Sequence, residues 1–131
     1  MVIYVMLAMG SIFARDGEDR ASSKLFCNIA RYAVEKTFGN STLQLVQSRL
    51  LAALLHFALG ESSKAWDYCG SALRAASALK FNTEAGINDL TEDQVPEYGL
   101  SRKALAECQR RTFWSAYIMD VSELLVFRGQ T

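Results

Sequence analysis

The chain has 131 residues, half of them apolar, with 14 Lys plus Arg balanced by 14 Asp plus Glu. That length and composition fit one domain with its own core, or part of one, and exclude a disordered tail. A formal net charge of zero supplies no field to draw in phosphate backbones, so direct nucleic-acid binding by this segment is not expected.

A single proline and 8 glycines leave few places to break helices, which predicts an all-α chain of about five helices with antiparallel hairpins, part of a larger helical domain. The first segment, Val2 to Ala14, is almost wholly apolar. It falls short of the roughly 20 apolar residues that span a bilayer, and no Lys or Arg precedes it as in a secretory signal. It is expected to be a buried helix with no membrane partner, and its abrupt apolar start suggests that the natural chain continues upstream. The charged turn "RDGED", containing Gly17, closes it.

The second helix, Asp19 to Phe38, places Leu25, Ile29, Tyr32 and Ala33 on one stripe. Gly39 and Asn40 supply a stop, and Ser41 or Thr42 can cap the next helix. The third helix, Leu43 to Leu59, is apolar at Val46, Leu50, Ala53, Leu54 and Phe57, with a second row at Leu51, Leu55 and Leu59. So wide an apolar arc requires more than one neighbour. Gly60 ends it, and the short link "GESS" turns the fourth helix, Ser62 to Lys80, back against the third as a hairpin. The inner stripe of that fourth helix, Ala65, Cys69, Ala72, Ala76 and Leu79, is mostly small and lets two backbones approach closely, with Trp66 and Leu73 filling the edges.

Periodicity breaks from 82 to 99, where Gly86, Pro96, Gly99 and several acids read as a surface loop with room for a short helical turn. The last helix, Ser101 to Phe127, turns Leu105 and Cys108 inward and Arg102, Lys103, Glu107 and Gln109 outward. From Phe113 onward it is apolar nearly all round, and a helix of that kind must be surrounded.

Reaction chemistry has no visible carrier. His56 is the sole histidine and sits in an apolar helix without an identified catalytic partner. Cys27, Cys69 and Cys108 are odd in number and lack any C-x-x-C spacing, which argues against a zinc site or a disulfide framework. No phosphate loop or H-E-x-x-H is present. No catalytic, cofactor-binding or metal residue is assigned, and the chain is not expected to be an enzyme.

Two blocks carry a resemblance. Glu107, Arg110, Arg111, Thr112, Phe113, Trp114, Tyr117 and Asp120 resemble the E-x-x-R-R-x-[FW]-W-x-x-Y-x-x-D signature of the fungal-specific transcription factor domain, the regulatory region of fungal binuclear zinc cluster transcription factors. Upstream, Val46, Gln47, Leu50 and Leu51, then Gly60, Ala65, Trp66, Tyr68, Gly70, Ala72, Leu73, Arg74, Ala76 and Leu79, are similar to that family's "VQ..LL", glycine turn and "AW.Y.G.ALR.A..L" segment. The blocks stand in the family's order with an acidic loop between them, over nearly the whole of 1–131. Departures occur where the family often has "LGLH" and this chain has Leu79, Lys80, Phe81 and Asn82, at Val121 in place of Arg, and at Arg128, Gly129 and Gln130 in place of Gly-Arg-Pro.

The resemblance implies a helical regulatory region of a nuclear transcription factor, single over 1–131 and incomplete. In that family a six-cysteine cluster holding two zinc ions reads DNA, followed by a dimerising coiled coil; with three scattered cysteines this segment cannot build the cluster. Zinc and DNA binding are expected only from that separate module, and no cofactor is expected here. The implied partners are a small-molecule effector or a transcriptional co-regulator, meeting the groove beside the third and fourth helices or the loop at 82–99. A last helix short of cover also predicts self-association.

Adjacent helical residues differ by roughly 100°, so Arg110 and Arg111 cannot both face inward. One is expected at the core edge, its stem buried and its guanidinium on a carboxylate or a helix end. Asp120, among Tyr117, Met119 and Val121, is expected to cap or pair with a neighbouring helix, the alternative being that it faces solvent. The rival reading is a tetratricopeptide-like scaffold built from the hairpin stretch Leu54 to Leu79, but a 34-residue repeat should recur and does not.

Overall fold

The computed structural model describes residues 2–13, 17–36, 41–88 and 97–129. It is all-α: α1 Val2–Ile12, α2 Gly17–Lys36, α3 Leu43–Ala58, α4 Ser62–Ala78, α5 Glu84–Asn88 and α6 Arg102–Gly129, with a single 3-10 turn at Glu97–Gly99 and no strand among the described residues. The five long helices lie where periodicity predicts them, and α5 is the short helical turn inside the loop. Gly17 opens α2 instead of lying in a turn. The expected stop at Gly39 and Asn40, and Pro96, lie outside the described residues.

Helix ends explain the α3–α4 hairpin. The Thr42 hydroxyl accepts from the Leu45 N–H at 3.2 Å and so caps α3. At the other end Gly60 takes φ 76, the Glu61 N–H donates to the His56 carbonyl at 2.8 Å and the Gly60 N–H to the Phe57 carbonyl at 3.1 Å. That left-handed stop reverses the chain within a few residues. Helix α4 ends in the same way, with Phe81 N–H on the Ala76 carbonyl and Lys80 N–H on the Ser77 carbonyl, each at 3.0 Å, but here Lys80 holds φ 60.

Helix α3 is the hub. It packs against α4, α1, α6 and α2, as its wide apolar arc requires. The main core joins Leu43, Val46 and Leu50 of α3 to Ala72, Ala75 and Ala76 of α4, Leu105 and Ala116 of α6, and Phe81 beyond α4. Ala65, Cys69, Ala72 and Ala76 are fully buried, so the small-residue stripe does bring two helices close. A smaller cluster seats Val5 of α1 and Ala30 of α2 against Ala52 of α3.

Several expectations about faces fail because the neighbours actually present, or absent, decide which side of each helix is covered. Among the described side chains of α2, Ala30 and Val34 are buried, whereas Leu25 and Tyr32 are exposed. The stripe sits one residue later than predicted because it is set by contact with α1 and α3. Helix α1 buries only Val5 and Ala8 and exposes Ile3, Tyr4, Met6 and Leu7. Leu54, Phe57 and Leu59 at the end of α3 are exposed, as is Trp66 of α4. Gln109, expected outside, is buried on the inner line of α6 between Leu105 and Ala116. No helix among the described residues is long and apolar enough to cross a membrane.

Candidate functional site

The α6 signature opens into an ion-pair cluster. Arg110 donates from Nε to Glu84 Oε1 and from Nη2 to Glu84 Oε2, both at 2.8 Å, and from Nη1 to Glu107 Oε2 at 3.2 Å. Arg111 donates from Nε to Glu107 Oε1 at 2.9 Å. The Arg110 side chain is 34% exposed and that of Arg111 79%, so the two split between core edge and solvent. Arg110's hydrogen bonds hold the Glu84 carboxyl below the usual carboxylate range, and Arg111 followed by Arg110 does the same for Glu107. The bonds from Glu84 and then Glu107 raise the Arg110 guanidinium in turn.

Beyond the arginines, Phe113, Trp114 and Tyr117 form an edge-to-face series. Phe113 and Trp114 lie 5.8 Å apart at 68°, and Trp114 and Tyr117 5.8 Å apart at 87°. Phe113 reaches the core, while Trp114, Tyr117 and Ile118 are exposed where a surrounding was expected. Asp120 is half-buried and pairs with no neighbouring helix among the described residues.

The α4 block gathers around the hairpin turn. His56 is 8% exposed, and its Nδ1 lies 2.8 Å from Glu61 Oε2, which also takes Lys64 Nζ at 3.0 Å. Bonds from Lys64 and then His56 lower the Glu61 carboxyl from its ordinary value. Tyr68 stacks flat on His56 with ring centroids 5.2 Å apart at 3°. Burial raises the Tyr68 phenol, as does Glu35, against the opposing pull of Arg31 and Arg49. Gly60 makes the turn, Ala65 seats α4 in the core, and Gly70 leaves room for Arg74, whose Nη1 would stand 3.2 Å from a Cβ at that glycine. His56 thus has a structural setting at the turn.

Two features had no signal in sequence order. Glu97 reaches back to the start of α3, accepting from the Leu43 N–H at 3.2 Å and the Gln44 N–H at 3.3 Å. Tyr98, at φ 59, donates its hydroxyl to Gln47 Oε1 at 2.7 Å, and Gln47 Nε2 donates to Thr112 Oγ1 at 3.2 Å. The end of the loop is therefore fastened to α3, and through Gln47 to α6. The second is Glu123, 8% exposed with Oε2 unbonded, whose carboxyl is raised by burial and then by Asp120. Burial, then Glu123 and Asp120, push the nearby Cys69 thiol up to about 12, so it is a poor nucleophile.

Among the described residues no three His, Cys, Asp or Glu gather closely enough to hold a metal ion. The arrangement offers fastened helices, a tethered loop and exposed apolar faces, which suit contact with other molecules more than bond-making.

The family model described as the fungal specific transcription factor domain matches residues 1–131. The chain is 34% identical over 125 residues to the "uncharacterized transcriptional regulatory protein C1327.01c" of Schizosaccharomyces pombe, covering 92% of this chain and 13% of that protein. It is 26% identical over 132 residues to the "transcription factor ROB1" of Candida albicans, covering 96% of this chain and 12% of that protein. A second S. pombe relative, "uncharacterized transcriptional regulatory protein C11D3.11c", is 26% identical over 121 residues, 92% of this chain and 32% of its own length. The chain thus spans about an eighth of the first two relatives and a third of the last. No solved structure matches it significantly.

Proposed function

This chain belongs to the fungal specific transcription factor domain family, and from that premise we propose that it is a helical regulatory region working within a larger nuclear transcription factor. DNA reading and zinc binding fall to other parts of such a protein. The observation that carries the proposal is the way both family blocks converge on α3, α4 and α6: the small-residue stripe of α4 packs on both neighbours, and Arg110 fixes α5 to α6. The tetratricopeptide-like alternative is not favoured, since the relatives are transcriptional regulators. No enzymatic step is assigned.

The working mechanism is a population shift. A small-molecule effector or a co-regulator binds one packing of the helices better than another, and the elements whose docking changes are α5 and the turn at Glu97–Tyr98. Their two fastenings are Glu84 on Arg110 and Glu97 with Tyr98 on α3. The test is a reporter assay with the full chain fused to a heterologous DNA-binding domain and expressed in yeast. Reporter output should differ from that of the DNA-binding domain alone and change again in Arg110→Ala. Output equal to that of the DNA-binding domain alone for every variant, with the fusions present in the nucleus at equal level, would reject the proposal.

A further inference from the structure

We propose that Arg49 of α3 and Arg74 of α4 form a binding site for a small oxyanion, the phosphate or carboxylate group of a small-molecule effector. Two contacts place both guanidiniums at the same turn of α4. Arg49 Nη1 donates to the Ser71 carbonyl at 3.4 Å, at the outer limit of a hydrogen bond. Arg74 folds back over Gly70, where an added Cβ would meet its Nη1 at 3.2 Å and its Cζ at 3.8 Å. The glycine of the family block thus makes room for Arg74 to fold back toward the turn whose Ser71 carbonyl Arg49 reaches.

Charge points the same way. Arg49 of α3 feels Arg74 and Tyr68 of α4, and Tyr68 in turn feels Glu35 and Arg31 of α2 as well as Arg49. The charged group coupled directly to Arg49 is thus another cation, Arg74. Among the described residues no carboxylate forms an ion pair with Arg49 or Arg74, whereas Arg110 and Arg111 both find one. Burial, and then the like charge of Arg74, lower the Arg49 guanidinium from its ordinary value, against an opposing pull from Tyr68. Two forks from different helices chelate an oxyanion with charge-assisted hydrogen bonds, a geometry that Lys cannot reproduce. Ala72, Ala75 and Ala76 of the same helix are closed core, whereas Arg74 is exposed, so a ligand reaches the pair from the solvent side of α4.

This inference rests on the regulatory reading only for its biological consequence, since the binding itself is measurable on the chain alone. Calorimetric titration of the full chain with inorganic phosphate and with citrate, at matched ionic strength in sodium chloride, should give saturable 1:1 binding of at least one of them. Arg49→Met and Arg74→Met, which keep the apolar stem, should each weaken it about tenfold or more, while Arg111→Met leaves it unchanged. Tighter phosphate assigns a phosphorylated ligand and tighter citrate a carboxylic acid. Where Arg49→Met loses its cooperative melt, Arg74→Met decides. No saturable binding of either probe, or affinities that survive Arg74→Met, would overturn the site. A silent reporter with intact anion binding would reject the regulatory proposal and leave the site standing.

Discussion

Arg110 grips Glu84 through two parallel 2.8 Å hydrogen bonds spanning 26 residues of sequence, and its third nitrogen holds Glu107 on its own helix. This fork tethers the short α5 to α6. Arg110→Lys keeps the charge and loses the fork. Amide exchange across 84–88 should then quicken several-fold with little change in global melting, because exposed pairs contribute little to overall stability. Glu84 and Glu107 are depressed carboxylates, so their contribution is present above the unfolded value of about 4.3 and lost as pH falls through the folded values. Exchange rates of wild type and Arg110→Ala should therefore draw together as pH falls below the ordinary carboxylate range and through the depressed folded values. Unchanged exchange in Arg110→Lys at neutral pH would show that the fork does not hold α5.

Lys80 stands where the family often places glycine, and its φ of 60 is a left-handed conformation. An L side chain there costs roughly 1–2 kcal/mol, of which glycine recovers all but the roughly 0.5–1 kcal/mol lost to a freer unfolded chain. Lys80→Gly is expected to stabilise the protein by about 0.5–1 kcal/mol in urea denaturation. Gly86→Ala should do the reverse, since its Cβ would lie 2.3 Å from the Lys80 carbonyl oxygen and 2.4 Å from the Lys80 Cβ. Equal or lower stability of Lys80→Gly would mean that Lys80 makes a compensating contact.

Glu97 caps α3 from 54 residues away, satisfying two N–H groups that Thr42 leaves open. Glu97→Ala is expected to cost about 1–2 kcal/mol, within the range of helix caps. Tyr98→Phe, which removes only the donor to Gln47, should cost about 1 kcal/mol. Denaturation midpoints of the two single variants and the double variant test whether they act as one latch: a shared latch gives a double-variant loss smaller than the sum. Full additivity would separate them.

The contrast between these sites shows what the sequence carries. Helix positions, the turn at Gly60 and the small stripe Ala65, Cys69, Ala72 and Ala76 were legible because each is a local pattern of spacing or a single left-handed stop. So was the division of labour between Arg110 and Arg111, which follows from helix geometry alone. Glu97 on Leu43 and Glu84 on Arg110 were not, because which acid of a loop reaches which helix end depends on the path of the loop. The stripe of α2 was misplaced by one residue because several registers of Leu25, Ala30, Tyr32 and Val34 are apolar, and only the position of α1 and α3 selects among them. Asp120 illustrates the same limit, since a charge amid apolar neighbours signals a need for a partner without supplying one.

Trp114, Ile118, Val121 and Leu125 recur at spacings of four, three and four, the seam of a coiled coil, and every one of them is exposed. A stripe of that kind pairs with a second copy when nothing else covers it. The chain should sediment as a concentration-dependent oligomer, and Ile118→Glu together with Leu125→Glu should return it to monomer without altering its helical circular dichroism. A monomer at all accessible concentrations would remove α6 as the associating surface.

Glu123 is a carboxylate kept in the folded state against its own preference. It is 8% exposed, Oε2 has no hydrogen-bond partner, and both burial and Asp120 raise its proton affinity. Because the folded value lies above the unfolded one of about 4.3, the native state binds this proton more tightly than the unfolded chain does. Ionisation therefore weakens the fold above the folded value, and the penalty is relieved as pH falls through it. Glu123→Gln, which keeps the shape and removes the charge, should stabilise the protein by about 1 kcal/mol at pH 7. The advantage should shrink steadily toward pH 4.5 as the wild-type residue takes up its proton. Melting temperatures of the two proteins across that range measure it. A Glu123→Gln variant less stable than wild type at pH 7 would mean that the carboxylate is paired in solution, and the α4–α6 contact beside Cys69 would then owe its stability to that pair instead of to packing.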